Sequence, residues 1–410
     1  MNPAPSPVAV TGLGLLTPAG EGAEAAWRAV LAGRCLAARD TALTGLPVDF
    51  SCRVPLDDKE LDRRVGRKSW RMGRPAKFAV LAAREAVHDA GLTPADWDST
   101  RVAVVIGCGM GGLEEVEAQH LRLEQHGAHQ VSALAIPKII PNLAAGEVAI
   151  DLDARGISLA PATACASGAT AIAMARDLLS TGLCDIAVAG GTEAAVSRLA
   201  TAGFWRMGAL SERTHAPAEA SRPFAADRDG FVMAEGAGVL VLERAADAAA
   251  RGARPRALLT GYGSSTDAHH PTAPPEGATG AEAALHAALA QAGISPYDVD
   301  HVNAHGTSTP LNDTTEAALI SRVLPHRPSI TAPKGVLGHT LGAAGAIEAA
   351  LTVLTIQHRR IPPIANLQAP APEFDLDCVT KQPRTQDIHA ALSHSFGFGG
   401  HNVVLTLQRP

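Results

Sequence analysis

Residues 84–97, REAVHDAGLTPADW, and residues 286–299, HAALAQAGISPYDV, carry the same punctuation 202 positions apart, near half of a 410-residue chain. In each, a helical stretch runs into a glycine, Gly91 or Gly293, able to adopt the left-handed conformation that closes a helix. Thr93 or Ser295 then caps a further helical turn, with Pro94 or Pro296 in its first position. A strand-like segment follows each. Helix–turn–helix punctuation is common, but its recurrence at this spacing favours a tandem duplication. The chain is therefore expected to hold two similar α/β halves, residues 1–250 and 251–410, packed on each other. Ligand sites favour such seams.

The hydrophobic pattern agrees. Val8–Val10, Val102–Ile106, Asp185–Ala189, Val239–Leu242, Ala257–Gly261 and Val403–Leu407 read as buried strands. Pro75–Ala90, Ser167–Leu179, Ala281–Ala292 and Leu341–Ile356 read as helices by length and spacing. Strands alternating with helices predict a layered α/β fold.

Composition excludes several classes. Aromatics are 3% of residues, too few for a base-stacking platform, and a net charge of −6 gives no general pull toward nucleic acid or anionic membrane. Six cysteines without a C-x-x-C pair argue against a disulfide scaffold or structural zinc and for a reducing, cytoplasmic setting. No apolar run reaches the ~20 residues of a membrane span, and the start, MNPAPSPVAVTG, lacks the basic region of a signal peptide. Neither a metal nor a cofactor is expected.

Four segments carry chemistry. In Ala160-Pro-Ala-Thr-Ala-Cys165-Ala-Ser-Gly-Ala, a strand ends, the chain turns, and a helix of small residues begins. Cys165 would stand at a helix N-terminus, where the dipole and free N–H groups favour thiolate. Val302-Asn-Ala-His305-Gly-Thr307-Ser-Thr309-Pro-Leu-Asn-Asp313 places a histidine at a strand end before a hydroxyl-rich loop. Pro333-Lys334-Gly-Val-Leu-Gly338-His339 opens a third segment, leading into a glycine- and alanine-rich helix that carries Glu348. Ser395-Phe396-Gly-Phe398-Gly-Gly-His401 is a glycine-rich loop with exposed N–H groups.

In this order, TACASG, NAHGTSTPLND, PKGVLGHTLGAAGAIEA and SFGFGGHN resemble the elongating β-ketoacyl-ACP synthases, the ketosynthase branch of the thiolase superfamily. VAVTGLGLLTPAG, GGTEAAVS, SRPFAADRDGFVMAEGAGVLVLE and DAHHPTAPPEG support the match, which runs from residue 7 to residue 408. The resemblance implies a five-layered αβαβα sandwich of two duplicated halves and a decarboxylative Claisen condensation of malonyl-ACP with a Cys-bound acyl chain.

The same resemblance assigns roles. Cys165 is the nucleophile, and its backbone N–H with that of Phe398 forms an oxyanion hole. His305 and His339 donate from Nε2 to the malonyl thioester oxygen, and Lys334 tunes their site. Asp313, Glu316 and Glu348 support the network. Thr307 and Thr309 match positions that bind the phosphopantetheine arm. Met110 matches the acyl-pocket floor, as a gate across a dimer interface. Phe204 lines that region, and Phe396 and Phe398 flank the cysteine. By the same resemblance, His401 in the Gly-Gly loop argues against biosynthetic thiolases, which need a second, C-terminal cysteine there, and His339 argues against initiating synthases with their Cys-His-Asn set.

Residues 59–77, KELDRRVGRKSWRMGRPAK, hold eight basic and two acidic residues. By resemblance an acyl carrier protein docks here, with Arg67, Lys68 and Arg71 as candidate contacts. Trp205-Arg206-Met207-Gly208 departs from the small residues followed by arginine seen in many relatives, which leaves carrier preference open. A homodimer is the default, with a heterodimer with a chain-length factor as the alternative; the pathway is fatty acid or polyketide/polyene synthesis. Two competing readings remain: a non-catalytic, chain-length-factor-like subunit, and a nucleotide-dependent oxidoreductase. The latter rests on Gly107-x-Gly109-x-x-Gly112 after a strand, yet Gln130-Val-Ser-Ala-Leu-Ala-Ile-Pro137 lacks the acidic residue such a site needs.

Overall fold

The computed structural model describes residues 7–95 and 97–410. Its first half is built on strands β1 (Val8–Thr17), β2 (Val102–Gly107), β3 (Ser158–Leu159), β4 (Ile186–Glu193) and β5 (Gly236–Arg244), in spatial order β3-β2-β4-β5-β1. The second uses β6 (Ala257–Thr266), β7 (His301–Asn303), β8 (Ser329–Thr331), β9 (Asp377–Cys378), β10 (Ala390–Gly397) and β11 (His401–Gln408), in order β9-β8-β7-β10-β11-β6. Counted from its own first strand, each half runs 3-2-4-5-1, with β9 added at one edge. The pairing senses also agree. β2 is parallel to β3 and β4, as β7 is to β8 and β10; the added β9 is parallel to β8, and the remaining pairs are antiparallel. The sheets meet where Val8–Val10 pairs antiparallel with Ala257–Leu259.

The repetition reaches single residues. The first strand of each half is bulged, at Thr11 and at Thr260, and a glycine follows each bulge. Gly12 and Gly14 lie against the backbone of Ala86 and Ala82 in helix α1 (Arg74–Asp89). A methyl group on either would stand about 2 Å from a helix carbonyl oxygen. Gly261 and Gly263 lie in the same way against Ala288 and Ala284 of a later helix (Thr279–Ala292). The helix partners are again 202 residues apart.

Helices complete five layers. α1 and α2 (Leu143–Asp151) cover the outer face of the first sheet, and α4 (Thr279–Ala292) with α5 (Pro310–Val323) covers that of the second. Between the sheets lie α3 (Ser167–Ser180) and α6 (Ala344–His358), one from each half. Every residue of α6 from Ala344 to Ile356 is buried, as a helix enclosed on all sides requires. The two cross through glycine: a Cβ at Gly168 would be 2.8 Å from Ala346 N, and one at Gly345 would be 2.8 Å from Ala169 N.

Most predicted elements are present, with shifted ends. The strand expected at Asp185–Ala189 runs over Ile186–Glu193, and the helix expected from Leu341 starts at Ala344 after a 3₁₀ turn. Gly91 and Gly293 take the predicted positive φ, 66° and 69°. Pro296 opens a 3₁₀ turn in which the Asp298 carboxylate accepts from Ser295 N–H at 2.7 Å. Pro94 and Ala95 form a turn rather than a helix, and the next position, Asp96, lies outside the described residues. Among the described residues, no helix is long and apolar enough to cross a membrane, and no three His, Cys, Asp or Glu side chains gather as a metal site.

Candidate active site

Cys165 sits in a 3₁₀ turn, Ala164–Ala166, at the opening of α3. Ala164 is held at φ 49°, a conformation costly for a residue with a Cβ. Ser167 over-determines it: its Oγ donates to Ala164 O at 2.7 Å and accepts from Thr163 N at 2.9 Å. Gly397, in β10, comes close from the other half, where a Cβ would be 3.2 Å from Cys165 N and 2.6 Å from Thr163 O. The backbone N–H groups of Phe398 and of Cys165 itself favour the charged sulfur.

The expected thiolate is not the resting form. Cys165 is 8% exposed, and burial pushes its thiol up to about 12, against the opposing Lys334 charge and the two backbone N–H groups. Desolvation is the largest influence on the sulfur and prevails over the Lys334 charge.

Both histidines are buried, at 3% and 2% exposure, and burial with the Lys334 charge holds each well below the usual imidazole range. They are therefore neutral, and their partners fix the tautomers. His339 Nδ1 accepts from Leu341 N–H at 3.3 Å, so Nε2 carries the proton, and it faces Cys165 Sγ at 3.2 Å. Lys334 Nζ stands 3.3 Å from His305 Nδ1 and donates to His305 O at 2.7 Å, which leaves the proton on His305 Nε2 as well. The rings lie 5.5 Å apart at 83°.

Carboxylates hold this arrangement from behind. Glu316 accepts from His305 N and Gly306 N at 2.8 Å each, and its Oε1 lies 3.0 Å from His394 Nδ1. Asp313 accepts from Phe224 N at 2.8 Å and Ser308 N at 3.2 Å, and burial pushes it up to about 6. Glu348 accepts from Lys334 Nζ at 2.6 Å, and burial still pushes it up to about 7.

A cavity of about 400 Å³ opens on this cluster. It is lined by Cys165, His305 and His339, and by the predicted Thr307, Thr309, Phe204, Phe396 and Phe398. Thr307 and Thr309 share a 2.9 Å hydrogen bond, and Thr309 caps α5. Lys334, Asp313 and Glu348 lie behind the wall. Met110 does not line the cavity of the single chain. Its side chain is 37% exposed on the surface, so a role at a pocket floor requires a second subunit. The basic segment is also divided. Arg71 pairs with the buried Glu147 at 2.6 Å, and Arg63, Arg64, Arg74 and Lys77 have acidic partners. Arg67 and Lys68 stay exposed, with no ion pair among the described residues, beside Trp70.

Sequence reasoning missed Glu193 and His394. Glu193, fully buried at the end of β4, accepts from Gly109 N at 2.8 Å, Met110 N at 3.1 Å and Gly342 N at 3.2 Å. It thereby ties the Met110 loop to the opening of α6. A carboxylate ending the apolar run IAVAGGTE was the available signal. These bonds also dispose of the dinucleotide reading. The glycine-loop N–H groups that would cradle a pyrophosphate are taken by Glu193, and residues 128–139 form short helical turns rather than a strand.

Comparison with known proteins agrees with this geometry. The family description "Beta-ketoacyl synthase, N-terminal domain" matches residues 5–248, and "Beta-ketoacyl synthase, C-terminal domain" matches residues 256–368. The 3-oxoacyl-[acyl-carrier-protein] synthase 2 of Synechocystis sp. is 42% identical over 408 residues, covering 98% of each chain. Among solved structures, the ishigamide ketosynthase/chain length factor superposes with a TM-score of 0.92 at 34% identity, over 99% of this chain and 100% of that one. A type II PKS ketosynthase, solved with its acyl-carrier protein and bound to the hexaketide, also gives 0.92, at 31% identity over 99% and 100%. With both domain descriptions matched and the relatives aligned end to end, this chain belongs to the β-ketoacyl synthase family.

Proposed function

We propose that the protein is an elongating β-ketoacyl-ACP synthase, a condensing acyltransferase that needs no cofactor or metal. The observation that carries this reading is the placement of Cys165 Sγ 3.2 Å from the protonated nitrogen of His339, with His305 beside it on one cavity. In the first half-reaction, Cys165 attacks an acyl thioester. The tetrahedral oxyanion is held by the N–H groups of Cys165 and Phe398, and the thiol proton leaves with the departing pantetheine sulfur.

In the second half-reaction, the malonyl thioester oxygen accepts from both Nε2–H groups. Loss of CO2 leaves an enolate whose charge lies on that oxygen, so two neutral, preorganised donors stabilise it where it develops. The enolate carbon attacks the acyl carbonyl, Cys165 is expelled, and its sulfur regains a proton from solvent. Thr307 and Thr309 hold the pantetheine arm. Phe204, Phe396 and Phe398 shape the acyl path, with Phe398 as a gate. Lys334 keeps both imidazoles neutral, while Asp313, Glu316 and Glu348 fix the loops.

The partner is an acidic acyl carrier protein that docks near Arg67 and Lys68. A relative solved with its acyl-carrier protein supports a carrier-protein partner. The protein acts in the cytoplasm, consistent with six free thiols, in a type II fatty acid or polyketide/polyene pathway. It works as a homodimer in which Met110 reaches the acyl path across the interface, with a chain-length-factor heterodimer as the second arrangement. The division at residues 250 and 251 separates the half holding Cys165 from that holding His305, Lys334 and His339. Incubation with acyl- and malonyl-carrier proteins of graded chain length, followed by mass spectrometry, should give β-ketoacyl-carrier protein two carbons longer and equimolar CO2. Absence of both products from folded protein would overturn the reading in favour of a non-catalytic subunit.

A further inference from the structure

Glu193 ends β4 fully buried, and its carboxylate is filled by donors from two loops. Oε2 accepts from Gly109 N at 2.8 Å and Gly342 N at 3.2 Å, while Oε1 accepts from Met110 N at 3.1 Å and Cys108 Sγ at 3.4 Å. A carboxylate offers about four acceptor positions, enough for all of these at once. The two backbones close on it because glycine stands at each nearest point. A methyl group at Gly342 would be 2.6 Å from Glu193 Oε2 and 2.7 Å from Gly109 N, and one at Gly109 would be 2.8 Å from Oε2.

The link to the chemistry runs through Leu341. This residue opens the 3₁₀ turn Leu341–Ala343 at φ 48°, a conformation that costs an L side chain energy. Its own N–H reaches His339 Nδ1 at 3.3 Å, and the next N–H, that of Gly342, is the one Glu193 takes. The strained residue lies between these two N–H groups and sets their relative aim, so fastening one fastens the other. His339 is fixed separately in its backbone, where its N–H donates to Val232 O at 2.8 Å and its carbonyl accepts from Ala234 N at 3.0 Å. Its ring meets Phe231 edge-on at 5.2 Å. What Leu341 adds is the tautomer, since an acceptor at Nδ1 puts the proton on Nε2.

We propose that Glu193 is a positioning residue for decarboxylation: by accepting the Gly342 N–H it keeps the Leu341 N–H on His339 Nδ1, and so keeps the donor proton on Nε2. Without that acceptor the turn relaxes, and the imidazole is free to carry its proton on Nδ1. Nε2 then becomes an acceptor, of no use to an enolate oxygen yet able to take the thiol hydrogen of Cys165. Decarboxylation is the step lost, and acyl loading is the step spared. This inference rests on the condensation reading above.

Two variants separate the acceptor from the space it fills. Glu193→Met keeps the length without an oxygen, and Glu193→Gln keeps one carbonyl oxygen for Gly109 and Gly342. Acyl-loaded Glu193→Met should release CO2 from malonyl-carrier protein with a kcat lower by about tenfold or more. Its KM should not change, because Thr307 and Thr309 are untouched. Loading of Cys165 from a short-chain acyl-carrier protein should keep the wild-type rate, and Glu193→Gln should restore most of the CO2 release. Gly342→Ala forces the turn off the carboxylate from its other side and should repeat the Glu193→Met pattern; it decides the matter if Glu193→Met does not fold. Wild-type CO2 release in either variant, a loss confined to KM, an equal loss in loading, or a Glu193→Gln enzyme as impaired as Glu193→Met would overturn the proposal. Failure of the condensation reading would show differently, as wild-type enzyme that makes no product.

Discussion

His339 Nε2 stands 3.2 Å from Cys165 Sγ while its Nδ1 is committed to Leu341 N–H, so the ring serves the sulfur as a donor and is not free to be its base. His339→Ala should therefore lower decarboxylative condensation by about 10²–10³-fold, while acyl loading of Cys165 falls far less. Single-turnover loading with acyl-carrier protein, set against CO2 release from malonyl-carrier protein, separates the two. Equal losses in both steps would contradict the assignment.

The buried thiol gives a pH signature. Cys165 is pushed up to about 12, above its ordinary value, so the neutral thiol dominates below that value and the reactive thiolate grows with pH. Its alkylation by iodoacetamide in unliganded enzyme should rise about tenfold per pH unit from pH 7 to pH 9 without levelling. A plateau beginning below pH 8 would show that the helix opening and backbone donors prevail over burial.

Gly397, in the last hairpin, packs against the turn that carries Cys165. Gly397→Ala would drive a methyl to 2.6 Å from Thr163 O and 3.2 Å from Cys165 N. The neighbouring N–H groups of Phe398 and Cys165 would then no longer converge, and kcat should fall by about 10²-fold or more, as for loss of an oxyanion donor. KM for the carrier protein should change little. Steady-state kinetics decide it, and a wild-type kcat would place the oxyanion elsewhere.

The basic segment separates docking from structure. Arg67→Glu with Lys68→Glu should raise KM for acyl-carrier protein at low salt, lessen its salt dependence, and leave the melting temperature unchanged. Arg71→Ala should instead strip the buried Glu147 of its partner and destabilise the fold by about 3 kcal/mol. Thermal melts beside the kinetics distinguish them; a melting loss in the Arg67/Lys68 variant would contradict this division.

What the sequence made legible was local. Cys165, His305 and His339 each sit on a strand-to-loop or loop-to-helix junction whose punctuation spans a few residues. Their convergence could be inferred from resemblance alone. Glu193 was opaque because its partners, Gly109, Met110 and Gly342, lie far along the chain. The duplication is legible at the helix ends, whereas the stronger repeat, Thr11-Gly-Leu-Gly14 and Thr260-Gly-Tyr-Gly263, takes its meaning only from the helices those glycines admit. The state of the Cys165 thiol is not legible in the sequence, because a helix opening is visible in one dimension and burial is not.

The glycine crossing of the two central helices bears on how such enzymes diversify. Side chains cannot be added at Gly168 or Gly345 without forcing the halves apart, so this junction offers almost no room for mutational drift. Variation in product must accumulate instead in the surrounding walls, at positions such as Phe204, Phe231 and Leu341. Libraries aimed at new chain lengths will be most fruitful there, and most often lethal at the crossing.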